Sequence, residues 1–152
     1  MSNVGPGTAL SAPTVAGKVA LSFEEIAARL KALDLPEVDV VYGIATGGIV
    51  PAALLAFQLG KPLELLTINY RSEDNSPQRP EPALLAPAAT LESGTRVLLV
   101  DDVVVTGQTV RLAVDTVLAG CQVTTLAMKG SADIVVFPEV GTCVAWPWKV
   151  NG

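Results

Sequence analysis

Residues 40–60 carry no charged side chain, and no other stretch constrains the fold as strongly. At that length the run could cross a bilayer, which takes about 20 apolar residues. Gly43, Gly47, Gly48 and Pro51 interrupt it, however. A glycine pair followed by a proline suits a turn into the first turn of a helix far better than a lipid-facing span. The reading is a buried strand over 38–43 that turns into a helix over 49–59, inside a water-soluble domain.

The same grammar repeats along the chain. Ser22 and Glu25 form a capping-box pattern, and Phe23, Ile26, Ala27, Leu30 and Leu33 keep helical spacing until Pro36. A strand follows over 63–70, and residues 96–100 form the continuous apolar run of a strand buried on both faces. Val110, Ala113, Val114, Val117 and Leu118 mark another helix, stopped by Gly120. Short strands are expected over 123–128, 134–137 and 142–145. Strands alternating with helices give an α/β fold with a mainly parallel central sheet flanked by helices. Such sheets bind ligands beyond the carboxyl ends of their strands. The 152 residues suit one domain, read as 18–152. Residues 1–17, rich in Gly, Pro, Ser and Thr, read as a flexible tail. Residues 71–94 contain Pro77, Pro80, Pro82 and Pro87 and read as a mobile functional loop.

The chain has no histidine. That excludes a Ser-His-Asp triad, a Cys-His pair, a His-ligated zinc and an imidazole acid or base. Fifteen acids against ten bases give a net charge of −5, the wrong sign for a protein that works on nucleic acid. The amino end has no basic cluster before an apolar run, so no signal peptide is read there. Cys121 and Cys143 are spaced for neither a metal knuckle nor a redox pair. They read as reduced, buried thiols of a cytoplasmic protein, with no membrane or nucleic-acid partner.

Chemistry concentrates in residues 97–109, V-L-L-V-D-D-V-V-V-T-G-Q-T. Asp101 and Asp102 close a strand that is otherwise apolar, and two such charges are costly unless something pairs with them, such as sugar hydroxyls or a magnesium ion. Thr106, Gly107, Gln108 and Thr109 then open a helix, where amides and hydroxyls can wrap a phosphate. A phosphorylated sugar fits both halves.

This segment resembles the signature of the type I phosphoribosyltransferases, which bind 5-phosphoribosyl pyrophosphate (PRPP). The resemblance implies that Asp101 and Asp102 are catalytic, holding the ribose hydroxyls and a magnesium cofactor. It also implies that Val104, Val105, Thr106, Gly107, Gln108 and Thr109 hold the sugar phosphate. Residues 42–53, Y-G-I-A-T-G-G-I-V-P-A-A, look like the family's pyrophosphate loop, with Ala45, Thr46, Gly47 and Gly48 as its contacts. A strained or cis peptide is expected there, between Ala45 and Thr46. Residues 126–148 resemble the base-binding end of the bacterial xanthine-guanine and hypoxanthine members, a small C-terminal hood. Lys129 then meets the exocyclic oxygen of a 6-oxopurine, and Val144 covers the ring ahead of Pro147 and Trp148.

Three residues depart from the family's pattern. Thr46 stands where a cation is usual, leaving Arg71 or Arg79 of the mobile segment to assist the pyrophosphate. Val105 replaces the aspartate that faces a ring nitrogen in the 6-oxopurine enzymes, and Lys149 replaces an acid. The resemblance implies phosphoribosyl transfer from PRPP to a nitrogenous base, a purine first, in a homodimer whose segment 71–94 closes over the site. The alternative is a PRPP- or nucleotide-binding regulatory protein without efficient turnover.

Overall fold

The computed structural model describes residues 14–15, 17–69, 83–84 and 91–149. Helix α1 spans Phe23–Lys31. Its capping box forms as the sequence predicts: the Ser22 hydroxyl accepts the Glu25 amide at 3.1 Å, and the Glu25 carboxylate accepts the Ser22 amide. Strand β3, Val40–Ala45, is buried at every residue but Ala45. Helix α2, Ile49–Leu59, follows it and stops at Gly60, whose left-handed backbone ends the helix. Strand β4 covers Leu63–Asn69. The remaining elements are β6, Arg96–Val104, α3, Gln108–Asp115, β7, Gln122–Gly130, and β8, Ile134–Val135.

The main sheet has the order β5-β4-β3-β6-β7-β8, where β5 is Ala83–Leu84. All its pairs are parallel except β4 with β5. The chain therefore leaves β3 in one direction, towards β4, and resumes beside β3 at β6 to build in the other. Helices diverge at such a reversal, and the gap beyond the carboxyl ends of β3 and β6 is where an open sheet accepts a ligand. The two faces of the sheet carry separate cores. Val41, Leu98, Val100, Leu126 and Met128 pack under α1 and α2, while Val40, Tyr42, Val97 and Leu99 pack with Ala113 and Leu118.

A second sheet joins the chain's two ends. Strand β1, Thr14–Val15, pairs antiparallel with β2, Lys18–Ala20, and β2 pairs parallel with β9, Val144–Ala145. Trp146 and Trp148 stack just beyond β9, with ring centroids 5.2 Å apart and planes 5° from parallel. Phe23 of α1 lies 6.0 Å from the Trp148 ring.

Several expectations from sequence change. β6 does not stop before the acids but runs on to Val104, because β7 also continues and pairs Val103 with Lys129 and Val104 with Gly130. α3 ends at Asp115, short of Gly120. Thr116 leaves helical geometry there, and its hydroxyl donates to the Leu112 carbonyl at 2.6 Å. Thr14 and Val15 form a strand within the stretch read as a tail. Both thiols are free, but Cys143 is exposed and Cys121 only half-buried, so the expected pair of buried thiols is not found. Cys143 belongs to the turn leading into β9, where its carbonyl accepts the Val19 amide. Of segment 71–94, only Ala83–Leu84 and residues 91–94 are among the described residues; Arg71 and Arg79 lie outside them. No helix of the described residues is long and apolar enough to cross a membrane.

Candidate functional site

Asp101 and Asp102 sit inside β6 near its carboxyl end, and each side chain accepts the backbone amide of the residue that follows it. Asp101 Oδ1 accepts the Asp102 amide at 2.8 Å, and Asp102 Oδ1 accepts the Val103 amide at 2.7 Å. Burial and the adjacent Asp102 charge hold the Asp101 carboxyl well above the ordinary carboxylate range. The Asp102 side chain is only 14% exposed, and its Oδ2 faces the ammonium of Lys149 at 3.6 Å.

The glycine loop lies against this pair. A Cβ on residue 47 would run into the Asp102 carboxylate, and one on residue 48 would strike the carbonyls of Val100 and Ile44. Glycine is therefore required twice where the β3–α2 turn crosses over β6. The Ala45–Thr46 peptide is cis, at the place the resemblance indicated. Thr46 is exposed, Ala45 and Gly47 are half-buried and Gly48 is buried.

The two helix starts beside the acids differ from α1. Ser22 caps α1 with its side chain, whereas Gly48 at α2 and Gly107 at α3 provide no side-chain cap. Two sets of amides at positive helix ends thus flank two carboxylates, an arrangement suited to anions on either side of a polyhydroxyl group. In the 104–109 turn, Val104 is buried and Val105 is 68% exposed. Gly107 takes φ +79°, and Thr106 Oγ1 accepts the Gln108 amide at 3.4 Å. The side-chain carbonyl of Gln108 is buried with no hydrogen-bond partner, and Thr109 follows it in the first turn of α3.

The expected base contacts are less converged. Lys129 stands half-exposed opposite Val103, whereas Val144 is 8% exposed and packs in the core under the hood. The ion pair of Lys149 with Asp102 was not legible beforehand. The only hint was an unusual cation one residue beyond the tryptophans. For a metal, the described residues offer no cluster of three or more His, Cys, Asp or Glu. Two carboxylates alone do fit a hard cation that completes its shell with substrate and water oxygens. A separate cavity of about 310 Å³, lined by Leu35, Glu37, Lys61 and Arg96 among others, lies where the strands begin, away from the acids.

Residues 18–146 match the phosphoribosyl transferase domain model. The chain belongs to the phosphoribosyltransferase family, and its fold is that of the type I enzymes. An orotate phosphoribosyltransferase of Saccharolobus solfataricus is 36% identical over 93 residues, 59% of this chain and 41% of the relative. One from Pyrobaculum islandicum is 30% identical over 112 residues, 71% of this chain and 49% of the relative. The chain thus spans less than half the length of the curated relatives it matches. A purine phosphoribosyltransferase structure from Pyrococcus horikoshii superposes with a TM-score of 0.73 at 26% identity, covering 87% of this chain and 94% of that one.

Proposed function

We propose that the chain transfers the phosphoribosyl group of PRPP to a nitrogenous base, with a purine as the first choice, and releases pyrophosphate. The observation that carries this reading is the contact of Gly47 with the Asp102 carboxylate. It joins a glycine loop suited to pyrophosphate and an acid pair suited to ribose hydroxyls into one surface. In this reading Asp101 and Asp102 accept hydrogen bonds from the ribose hydroxyls. The amides opening α3, with Thr106 and Thr109, hold the 5-phosphate, and those of residues 45–48 hold the pyrophosphate. The bond from the anomeric carbon to pyrophosphate breaks with its electron pair leaving on the pyrophosphate oxygen. A ring nitrogen of the base, placed by Lys129 and Val144, attacks the opposite face with its lone pair, inverting that carbon, and the ring N–H proton of the base is released to solvent. The carboxylates favour the positive charge that develops on the sugar, and orientation supplies much of the rate. Asp101 and Asp102 are also the residues that would hold magnesium, which neutralises charge on the leaving group when bound.

Purine and orotate relatives recommend different acceptors, and Val105 cannot accept a hydrogen bond from a 6-oxopurine ring. Pyrophosphate release is therefore measured with PRPP and magnesium against hypoxanthine, guanine, xanthine, adenine and orotate. Transfer to a purine supports the reading; transfer to orotate alone moves the acceptor to the pyrimidines. PRPP binding without transfer to any base favours the second reading, a PRPP- or nucleotide-binding regulator, for which Thr46 and Val105 speak. The reading carries with it a cytoplasmic location and a homodimer, and sedimentation of the purified protein tests the dimer.

A further inference from the structure

We infer that Lys149 is a positioning residue that guards Asp102: its ammonium holds the carboxylate oxygen that the ribose has to take, and loading of PRPP requires the lysine side chain to swing away. The inference rests on the proposal that the acid pair binds ribose hydroxyls.

Asp102 has one oxygen committed to the backbone, since Oδ1 accepts the Val103 amide at 2.7 Å. The other, Oδ2, is the one facing Lys149 Nζ at 3.6 Å. With only 14% of the Asp102 side chain exposed, a hydroxyl and an ammonium compete for one narrow opening. The glycine loop passes close on another side, since a Cβ on residue 47 would run into the same carboxylate.

Lys149 is built to leave without disturbing its surroundings. Its backbone amide donates to the Trp146 carbonyl at 3.1 Å, and Trp146 is 3% exposed and stacked on Trp148. The main chain at 149 is thus anchored, while the side chain is 48% exposed on a flexible four-carbon stem. A partly exposed ion pair of this kind is modest in strength, so displacing it lowers affinity only by roughly two- to fivefold.

The chain has two tryptophans, and both lie in the turn that carries Lys149. Moving a positive charge away from that turn changes the field at the indoles, so intrinsic emission reports the departure directly. The test titrates wild type, Lys149→Gln and Lys149→Arg with PRPP and magnesium, reading heat by calorimetry and tryptophan emission in parallel. The expected result is an emission change in wild type that tracks the binding heat. Lys149→Gln should bind PRPP roughly two- to fivefold more tightly with little emission change, and Lys149→Arg should behave as wild type. Binding heat without an emission change in wild type overturns the inference and leaves the proposed function standing. Equal or weaker PRPP binding by Lys149→Gln does the same, because the lysine would then be neutral towards PRPP or a contact for its anionic groups. No binding heat in any of the three proteins overturns the site assignment and the inference together.

Discussion

The two ends of strand β6 treat charge in opposite ways. At its start Arg96 is ringed by acids: Nη2 meets Asp39 Oδ1 at 2.8 Å, Nη1 meets Glu37 at 3.4 Å, and the Arg96 amide donates to Asp39 Oδ2 at 2.8 Å. Hydrogen bonds from Arg96 pull the Asp39 carboxyl down to about 2. Five residues further on this is reversed, because Asp101 and Asp102 place two like charges side by side, with the Lys149 ammonium 3.6 Å from Asp102. There the Asp101 carboxyl is pushed up rather than down. Opposite charges are matched at the end of the sheet that holds the fold, and like charges are left together at the end that faces the glycine loop. A chain that tolerates the second arrangement gives up stability for a ligand.

The strongest way to break this comparison is to remove both charges at the carboxyl end. Asp101→Asn with Asp102→Asn should weaken PRPP binding about a hundredfold or more by calorimetry, with unchanged circular dichroism. Two hydrogen bonds to charged acceptors, each worth about 1.5–3 kcal/mol, are lost together. A folded double variant with wild-type affinity would reassign the site. Adding a charge sharpens the contrast instead. Val105→Asp places an acid at an exposed position, where a charge-assisted bond to a 6-oxopurine ring nitrogen should raise kcat/KM for hypoxanthine or guanine by roughly ten- to a hundredfold. Wild-type activity on these bases that falls on substitution would mean another group contacts the ring.

A smaller effect separates stability from binding. Asp101→Asn keeps the acceptor for the Asp102 amide and deletes the penalised charge, so its melting temperature should exceed that of wild type by roughly 2–4 °C at neutral pH. The sign with pH follows from linkage: a carboxyl raised in the folded state takes up protons on folding, so its ionisation costs stability as the pH rises. The advantage of the variant should therefore shrink as the pH falls towards 4, and a constant difference would remove burial as its cause. At the other end of β6 the sign reverses and the effect is smallest. Asp39 is depressed from 3.8 to about 2, so its pairing stabilises the fold above about pH 4 and that contribution disappears as the pH falls towards about 2. Asp39→Asn should cost roughly 1–2 °C at neutral pH and less in high salt, because the pair is exposed. PRPP affinity should not change.

What was legible in the sequence follows local physics. The capping box at Ser22 and Glu25 and the helix over Ile49–Leu59 appear where pattern and spacing put them, because each depends on neighbours within a few residues. The acids and glycines were legible for a related reason: charge and missing side chains are conspicuous in an apolar stretch. The C-terminal hood was implied by the resemblance, but its sheet was not legible, because β2 pairs with β9 across nearly the whole chain and two- or three-residue strands carry no period of their own. The Lys149 to Asp102 pair shares that difficulty, since it forms only once the C-terminal turn has folded back onto β6.

The pairing of β2 with β9 also bears on the order of folding. The main sheet grows by short steps, with β3 finding β4 and β6 finding β7 through single crossovers. Joining Val19 to Val144 closes the longest loop among the described strand pairings, and the entropy of that closure is least costly once the intervening sheet has brought the ends together. The hood should then be the last part to form and the first to open. Amides of β2 and β9 should accordingly exchange with solvent sooner than those of β3 and β6, and matching exchange rates would instead make hood and sheet one cooperative unit.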